Sequence, residues 1–503
     1  MTGSRRIIVN TLAQYTRTIV NVCLSLYSTR LILSALGQSD YGIYSLVAGV
    51  VAMLSFVTNA MVTTTQRYLS YNQGKNDANK LRLIFANSML LHVFIGLTLM
   101  CLLLSMGYPI VYGWLNIVHE RQDAAFMVYA IATMMLFISF TTSPLRALFV
   151  SRENIVYISI VDVLDGLLKL SFAFVLCYVS FDKLICYAVI MLCIQLVNFF
   201  AYALYAIFKF PECHFPRLRE LDRAYISELS SFAGWTVFSS GCVIARNQGI
   251  AIIFNMFCGV LVNSAYAIAQ QVLGAVAFIS SSIVNAMNPQ LMKAEGAGNR
   301  DKMIRLAEYE SKYAFLLLAI VAIPLVVEME SILSLWLTEV PTYTVPFCQL
   351  ILLATLCDQL TVGLTSANQA FGKIGVYTMC FYSIKLLTLV GIYTALRLDI
   401  PVQYVLWSYV VVELFDAFVR LPLLKWQIGI SVRHFISHVL FRVIIPTFTI
   451  SILCLSVTHL FTIPYRFVLT MLLSVVAGGS ALWFTSLDKS EKMYVRTFAK
   501  RHE

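Results

Sequence analysis

Residues 313–336 read YAFLLLAIVAIPLVVEMESILSLW, and from Leu316 to Val327 the run LLLAIVAIPLVV contains no charged side chain. A helix crosses a hydrocarbon core of about 30 Å with about 20 mostly apolar residues, so this stretch is long enough to span. A membrane β-barrel would instead show segments of about ten residues with alternating polarity, and continuous apolarity excludes it. The rest of the chain agrees: of 503 residues 59% are hydrophobic and 12% charged, with a mean hydropathy of +0.79. Soluble domains average roughly 45–50% apolar and about 25% charged. The expected fold class is therefore an all-α polytopic membrane protein, and a soluble globular fold is excluded.

Hydropathy draws fourteen transmembrane helices: 7–36, 41–66, 84–106, 126–144, 154–178, 184–208, 230–255, 262–288, 313–336, 346–370, 376–397, 402–419, 437–460 and 467–486. With both termini cytoplasmic, inner segments carry 26 of the 36 Lys and Arg, and outer loops only Arg121, Lys183, Arg397 and Arg466. That asymmetry is what the positive-inside rule requires. It also explains the net charge of +10 without nucleic acid as a partner. The twelve cysteines form no CxxC or Cys/His cluster and read as packing residues. Arg5 and Arg6 precede a long, partly polar span without a small-residue cleavage site, which reads as a retained first helix. No HExxH, Ser/His/Asp pattern or GxxxxGK[ST] loop occurs. The expectation is a transporter, not an enzyme, with no cofactor and no metal site. Its tail from Lys489 to Arg501 alternates basic and apolar residues, as a segment on the inner leaflet does.

Gln66, Gly74 and Asp77 recur as Gln290, Gly298 and Asp301, all at one common offset. Lys169-Leu170 recurs as Lys385-Leu386 at a slightly shorter one, which a shorter outer loop in the second half accounts for. Matched to span order, these identities predict two pseudo-symmetric six-helix lobes in parallel orientation, an architecture recurrent in transporters. The expected organisation is an N-terminal lobe at 1–210, a cytoplasmic linker at 211–229, a C-terminal lobe at 230–430, and an extra helix pair with a basic tail at 431–503.

Polar residues within the spans fall on stripes. Asn10, Gln14, Arg17, Asn21, Ser25 and Ser28 share one face of the first helix. Ser55, Asn59, Thr63 and Gln66 mark the second, Ser231, Trp235, Ser239, Cys242 and Arg246 the seventh, and Asn263, Tyr266, Gln270, Gly274, Ser281, Asn285 and Asn288 the eighth. Interhelical hydrogen bonds, worth on the order of 1 kcal/mol each, would account for one such stripe. Four stripes, two holding an Arg, point to an aqueous cavity, because a charge at the bilayer centre costs about 2.5–3.5 kcal/mol or more. Arg17, Asn21, Asn59, Gln66, Arg246, Gln270 and Asn285 are thus the candidate substrate-binding residues. Arg30, about 220° round the helix from Arg17, is expected to snorkel or pair locally. Asp162, Asp165 and Lys169 share a face of the fifth span, where two acids against one lysine leave a carboxylate over. Glu413, Asp416 and Arg420 repeat the arrangement in the twelfth, and Asp358 stands alone in the tenth. Asp162, Asp165, Lys169 and Asp358 are candidates for coupling to a proton or sodium ion, with helix-fixing ion pairs as the alternative.

The run RLILSALGQSDYGIYSLVAGVVAMLSFVTNAMVTTTQRYLS (30–70) resembles the first-to-second-helix signature of bacterial polysaccharide exporters of the O-antigen flippase type. FCGVLVNSAYAIAQQVLGAVAFISSSIVNAMNPQLMKAEGAGN (257–299) resembles the seventh-to-eighth-helix counterpart. That family belongs to the superfamily of multidrug, oligosaccharidyl-lipid and polysaccharide exporters. The resemblance implies a flippase that carries a polyprenyl-pyrophosphate-linked oligosaccharide, such as an O-antigen or capsule unit, from the inner to the outer leaflet of the bacterial cytoplasmic membrane by alternating access. It also implies membrane lipids and glycan polymerase or export machinery as partners. Guanidinium groups bind phosphate in a bidentate way, which suits Arg17 and Arg246. The alternative is an ion-coupled multidrug exporter on the same fold, whose cationic substrates call for acids in the cavity; none lies in the first two spans. A membrane glycosyltransferase or polymerase needs a larger outer loop than the longest one here, from 107 to 125.

Overall fold

The computed structural model describes residues 3–52, 54–115, 117–176, 178–214, 220–337, 340–461, 465–487 and 491–492. Most of the 489–501 tail lies outside these residues, as do the side chains of Arg5, Arg6 and Arg30. No strand occurs among the described residues, and each of the fourteen predicted segments falls on helix. Among the described residues ten helices are long and apolar enough to cross a membrane, or eleven with one bent pair counted as a single span. The first, second and fifth segments are helical without passing that test. They carry Arg17, the Thr/Gln run of residues 63–66, and Asp162, Asp165 and Lys169.

The chain divides into two compact units, one of residues 8–237 with 296–298, the other of 1–7, 238–295 and 299–503. The first contains α1 (Gly3–Ala52) from residue 8, α2 (Ser55–Gly74), α3 (Ala78–Tyr108), α4 (Gln122–Ser151), α5 (Ile155–Leu176), α6 (Lys183–Lys209) and the beginning of α7 (Arg223–Gly296). Helix α4 is its centre and packs against α2, α3 and α6. Glycines let α3 approach closely: a Cβ at Gly96 would meet Phe140 at 2.9 Å, and one at Gly107 would meet the Tyr129 ring at 2.9 Å. At one end Arg121 pairs with Asp40 and with Asp182 (2.5 Å).

The second unit continues α7 and adds α8 (Arg300–Val327), α9 (Met329–Trp336), α10 (Thr344–Gln359), α11 (Val362–Phe371), α12 (Gly375–Arg397), α13 (Val402–Val405), α14 (Trp407–Ile428), α15 (Val432–Phe435), α16 (Phe441–Leu460) and α17 (Arg466–Ala481). Helix α8 contains the apolar run LLLAIVAIPLVV and is the most buried of the candidate spans. It packs against α10, α11, α16 and α17. Ion pairs tie α17 and the segment after it to α8 and its C-cap, through Arg466–Glu328 (2.8 Å) and Lys312–Glu491 (2.7 Å).

Each unit holds two spans joined by one glycine. Gly37 in α1 has φ 77°, ψ 169°, and Gly259 in α7 has φ 77°, ψ −170°. Side chains are excluded from this backbone region, so a lone glycine turns the chain without a loop. The offset from Gly37 to Gly259 recurs elsewhere: Asn76 (φ 54°) matches Gly298 (φ 75°) at the same spacing. So do the helix caps Asp77 and Asn299, which accept from the backbone N–H of Lys80 and Lys302. The structural repeat thus pairs Asn76 with Gly298, whereas the loop identities pair Gly74 with Gly298, and the register of the backbone is the one the fold obeys. Polar residues also run further into helix than hydropathy indicates. Helix α2 continues two turns past Gln66 because Arg67, Ser70 and Asn72 are buried, with Tyr68 donating to the Glu228 carbonyl (3.3 Å).

Candidate functional site

In the first unit the polar stripe of α1 divides. Asn10 and Gln14 are buried, and Asn10 donates to the carbonyl of Glu153 (3.0 Å), so this end of the stripe packs. A turn later the stripe opens into a groove of about 420 Å³ lined by Arg17, Thr18, Asn21, Val22, Ser25 and Asp162. Gly166 admits α5 at this height, since a Cβ there would meet Leu24 at 3.0 Å and Asn21 Oδ1 at 3.1 Å. Arg17 Nη1 donates to Asp162 Oδ2 (2.8 Å), and Arg146 Nη2 donates to the same oxygen (3.1 Å). Tyr202 Oη lies 3.5 Å from Asp162 Oδ1. Asp165 is held separately, by Lys169 (2.7 Å) and Asn198 (2.7 Å). The carboxylate left over by the spacing of the fifth span is therefore Asp162, and two arginines from other helices take it. Three bases and two acids leave one positive charge, and Arg146 and Lys169 are each 43% exposed.

Arg146 was not among the sequence candidates. Hydropathy ends the fourth span at Pro144, which places Arg146 in an inner loop. Helix α4 instead carries Pro144 inside and runs on to Ser151, so Arg146 projects from helix. Proline removes one backbone donor, but packed neighbours let such a helix continue.

The second unit has a different cluster. Arg246 of α7 is buried, donates to Glu413 Oε1 (2.5 Å) and lies over the Tyr409 ring at 4.4 Å. Lys385 of α12 reaches Glu413 (2.5 Å), Asp358 (3.2 Å) and Asp416 (3.6 Å). Arg420 of α14 reaches Asp416 (2.6 Å) and Asp358 (2.8 Å). Asp358 is thus not alone, as its sequence position suggests, but bridges two cations. It stands beside the 45° break between α10 and α11, where Thr361 Oγ1 accepts from Arg420 (3.1 Å). A broken helix inside protein is how a membrane fold brings irregular backbone to an ion site. The carboxylates of Asp358, Glu413 and Asp416 each present an oxygen within 4.8 Å of the others, so among the described residues they form the group able to ligate a cation, but Lys385, Arg420 and Arg246 hold them here. Three acids against three bases make this cluster neutral.

The other candidates are more dispersed. Asn59 and Asn285 are exposed, Gln66 is buried, and Gln270 donates to Tyr266 Oη (2.8 Å). Asn21 Oδ1 is buried without a hydrogen-bond partner among the described residues.

Solved transporters share this arrangement of helices. A MATE protein in the straight conformation superposes with a TM-score of 0.74 at 13% identity, over 85% of this chain and 96% of that one. A MOP-superfamily transporter from Pyrococcus furiosus, described as having a binding pocket of reverse polarity that suggests a different function, gives 0.74 at 12% identity over the same shares. The fold is that of MOP-superfamily transporters. An outward-facing multidrug-resistance MATE transporter of the same superfamily gives 0.72 at 13% identity, again over 85% and 96%. No family model matches the sequence, and no curated protein does.

Proposed function

We propose that this MOP-fold membrane transporter carries an anionic amphiphile, specifically a polyprenyl-pyrophosphate-linked oligosaccharide, between leaflets of the bacterial cytoplasmic membrane by alternating access. The observation that carries this reading is the residual positive charge beside the α1–α5 groove, where Arg17 of the lining and Arg146 of α4 meet one carboxylate. A multidrug exporter of cations would be served by the opposite sign. Asn21 and the hydroxyls of Thr18 and Ser25 suit sugar hydroxyls, while the polyprenyl chain stays in lipid. The neutral cluster of Asp358, Glu413, Asp416, Arg246, Lys385 and Arg420 is then the element that responds to a proton or sodium ion. Both termini are cytoplasmic in this reading, and a glycan polymerase or export assembly receives the product.

The similar solved structures favour a second reading, an ion-coupled multidrug exporter, because MATE multidrug transporters are among them. The fold alone does not choose the cargo, since one of them is described by a pocket of reversed polarity. Proteoliposomes separate the two. The flippase reading expects protein-dependent arrival of a defined lipid-linked oligosaccharide at the outer leaflet, reported by an external glycan-modifying enzyme. No movement, together with pH- or sodium-dependent efflux of a cationic dye, would establish the exporter instead.

A further inference from the structure

Among the described residues Asp162 is the single acid on which two guanidiniums converge, and both donate to the same oxygen, Oδ2. A pair of arginines from different helices, α1 and α4, around one anionic oxygen is the geometry of a phosphate site. Here the anion is the protein's own carboxylate. It lies in the wall of the groove, not beneath it, because Asp162 is one of the lining residues. The charged and titratable groups around it are Arg17 from α1, Arg146 from α4, Asp165 and Lys169 from α5, and Tyr202 from α6. Of these acids only Asp162 engages the arginines directly, since Asp165 is occupied by Lys169 and Asn198.

We infer that Arg17 and Arg146 form a dibasic site for a phosphate or pyrophosphate group, and that Asp162 is its built-in competitor, filling the site until such an anion displaces it. The inference deepens the anionic-cargo reading and rests on it. A resident carboxylate keeps two guanidiniums in place when no cargo is bound and sets a threshold against singly charged anions, which gain less than a pyrophosphate from displacing it. The displaced carboxylate is left beside the Tyr202 hydroxyl, which already faces its other oxygen.

The test is binding of inorganic pyrophosphate to the full chain in nanodiscs of zwitterionic lipid, by calorimetry. Asp162→Asn removes the competing charge while keeping side-chain shape, and is expected to tighten pyrophosphate binding about tenfold. Asp165→Asn removes the same charge one helical turn away and is expected to leave the affinity within about twofold. Arg146→Gln and Arg17→Gln are expected to abolish the gain when combined with Asp162→Asn, and Arg146→Lys to restore only part of it. Equal affinities for wild type and Asp162→Asn, with both proteins monodisperse and unfolding at similar temperatures, would overturn the inference. So would an equal gain from Asp165→Asn, which would make the effect one of net charge. Repeating the titration with phosphatidylglycerol in the disc identifies the natural source of the phosphate. Phosphatidylglycerol carries one negative charge, so competition that needs Arg146 would overturn the threshold that Asp162 is inferred to set, and absence of competition supports the site with the pyrophosphate of a carrier lipid as occupant. None of these readings involves transport, so a protein that binds as expected but moves no lipid-linked oligosaccharide would sink the flippase reading and leave this one standing.

Discussion

At the scale of single residues, the consequential fact is that most charges inside the helices have partners. Glu413 holds both Arg246 and Lys385 and is 2% exposed. Removing one member of a buried ion pair strands the other, at a cost of about 3–5 kcal/mol. Glu413→Gln is therefore expected to lower the thermal stability of the purified protein by an amount of that order, and an unchanged melting curve would remove Glu413 from the network. Asp182 makes a pH-dependent prediction. Partial burial raises its pKa, but the Arg121 guanidinium and the backbone N–H groups of Ile185 and Leu184 outweigh it and hold the group below its usual value of 3.8. A depressed carboxylate stabilises the fold above its unfolded pKa and ceases to do so as pH falls through the folded one. Asp182→Asn keeps the cap of α6 and deletes only the ion pair. It should be less stable than wild type at pH 7, and the gap should close as pH drops below about 4.

At the scale of elements, the two glycine joints and the close helix contacts govern. Gly37→Ala and Gly259→Ala each force a side chain into a backbone region reserved for glycine, at about 1–3 kcal/mol, although nothing stands within 4 Å of the added Cβ. Gly42→Ala, in helix with equally open surroundings, is the control and should be neutral or slightly stabilising. Similar effects of all three would show that the joints bear no strain. Gly363 packs α11 onto α8 so closely that a Cβ would lie 2.0 Å from the Ala307 carbonyl oxygen. Gly363→Ala must push backbone apart and is expected to cost about 1–3 kcal/mol, readable as a lower midpoint in a thermal assay. Helical periodicity places apolar runs and polar stripes reliably, so every predicted span is found as helix. Helix ends were less legible, because hydropathy stops at Gln66 or Pro144 where buried polar neighbours carry the helix on.

For the whole molecule, cargo sign is the property to measure. With Arg17, Arg146 and Lys169 against Asp162 and Asp165, the proposed flippase reading expects export of an anionic lipid-linked glycan to fall at least tenfold in an Arg17→Ala/Arg146→Ala double variant that inserts normally. Full transport in that variant would place the cargo elsewhere. Composition and periodicity by themselves determined that this is a helical membrane protein with polar faces on named helices. Contacts within one helix were legible too: Asp165 with Lys169 and Asp416 with Arg420 share the helical i,i+4 spacing and meet as that spacing requires. Only the tertiary structure decided that Arg17 meets Asp162 and that Arg246 meets Glu413, partners far apart in the chain. Those pairings depend on the rotation and depth of each helix against its neighbours. Local spacing sets which face of a helix a charge occupies, and packing alone sets what that face meets.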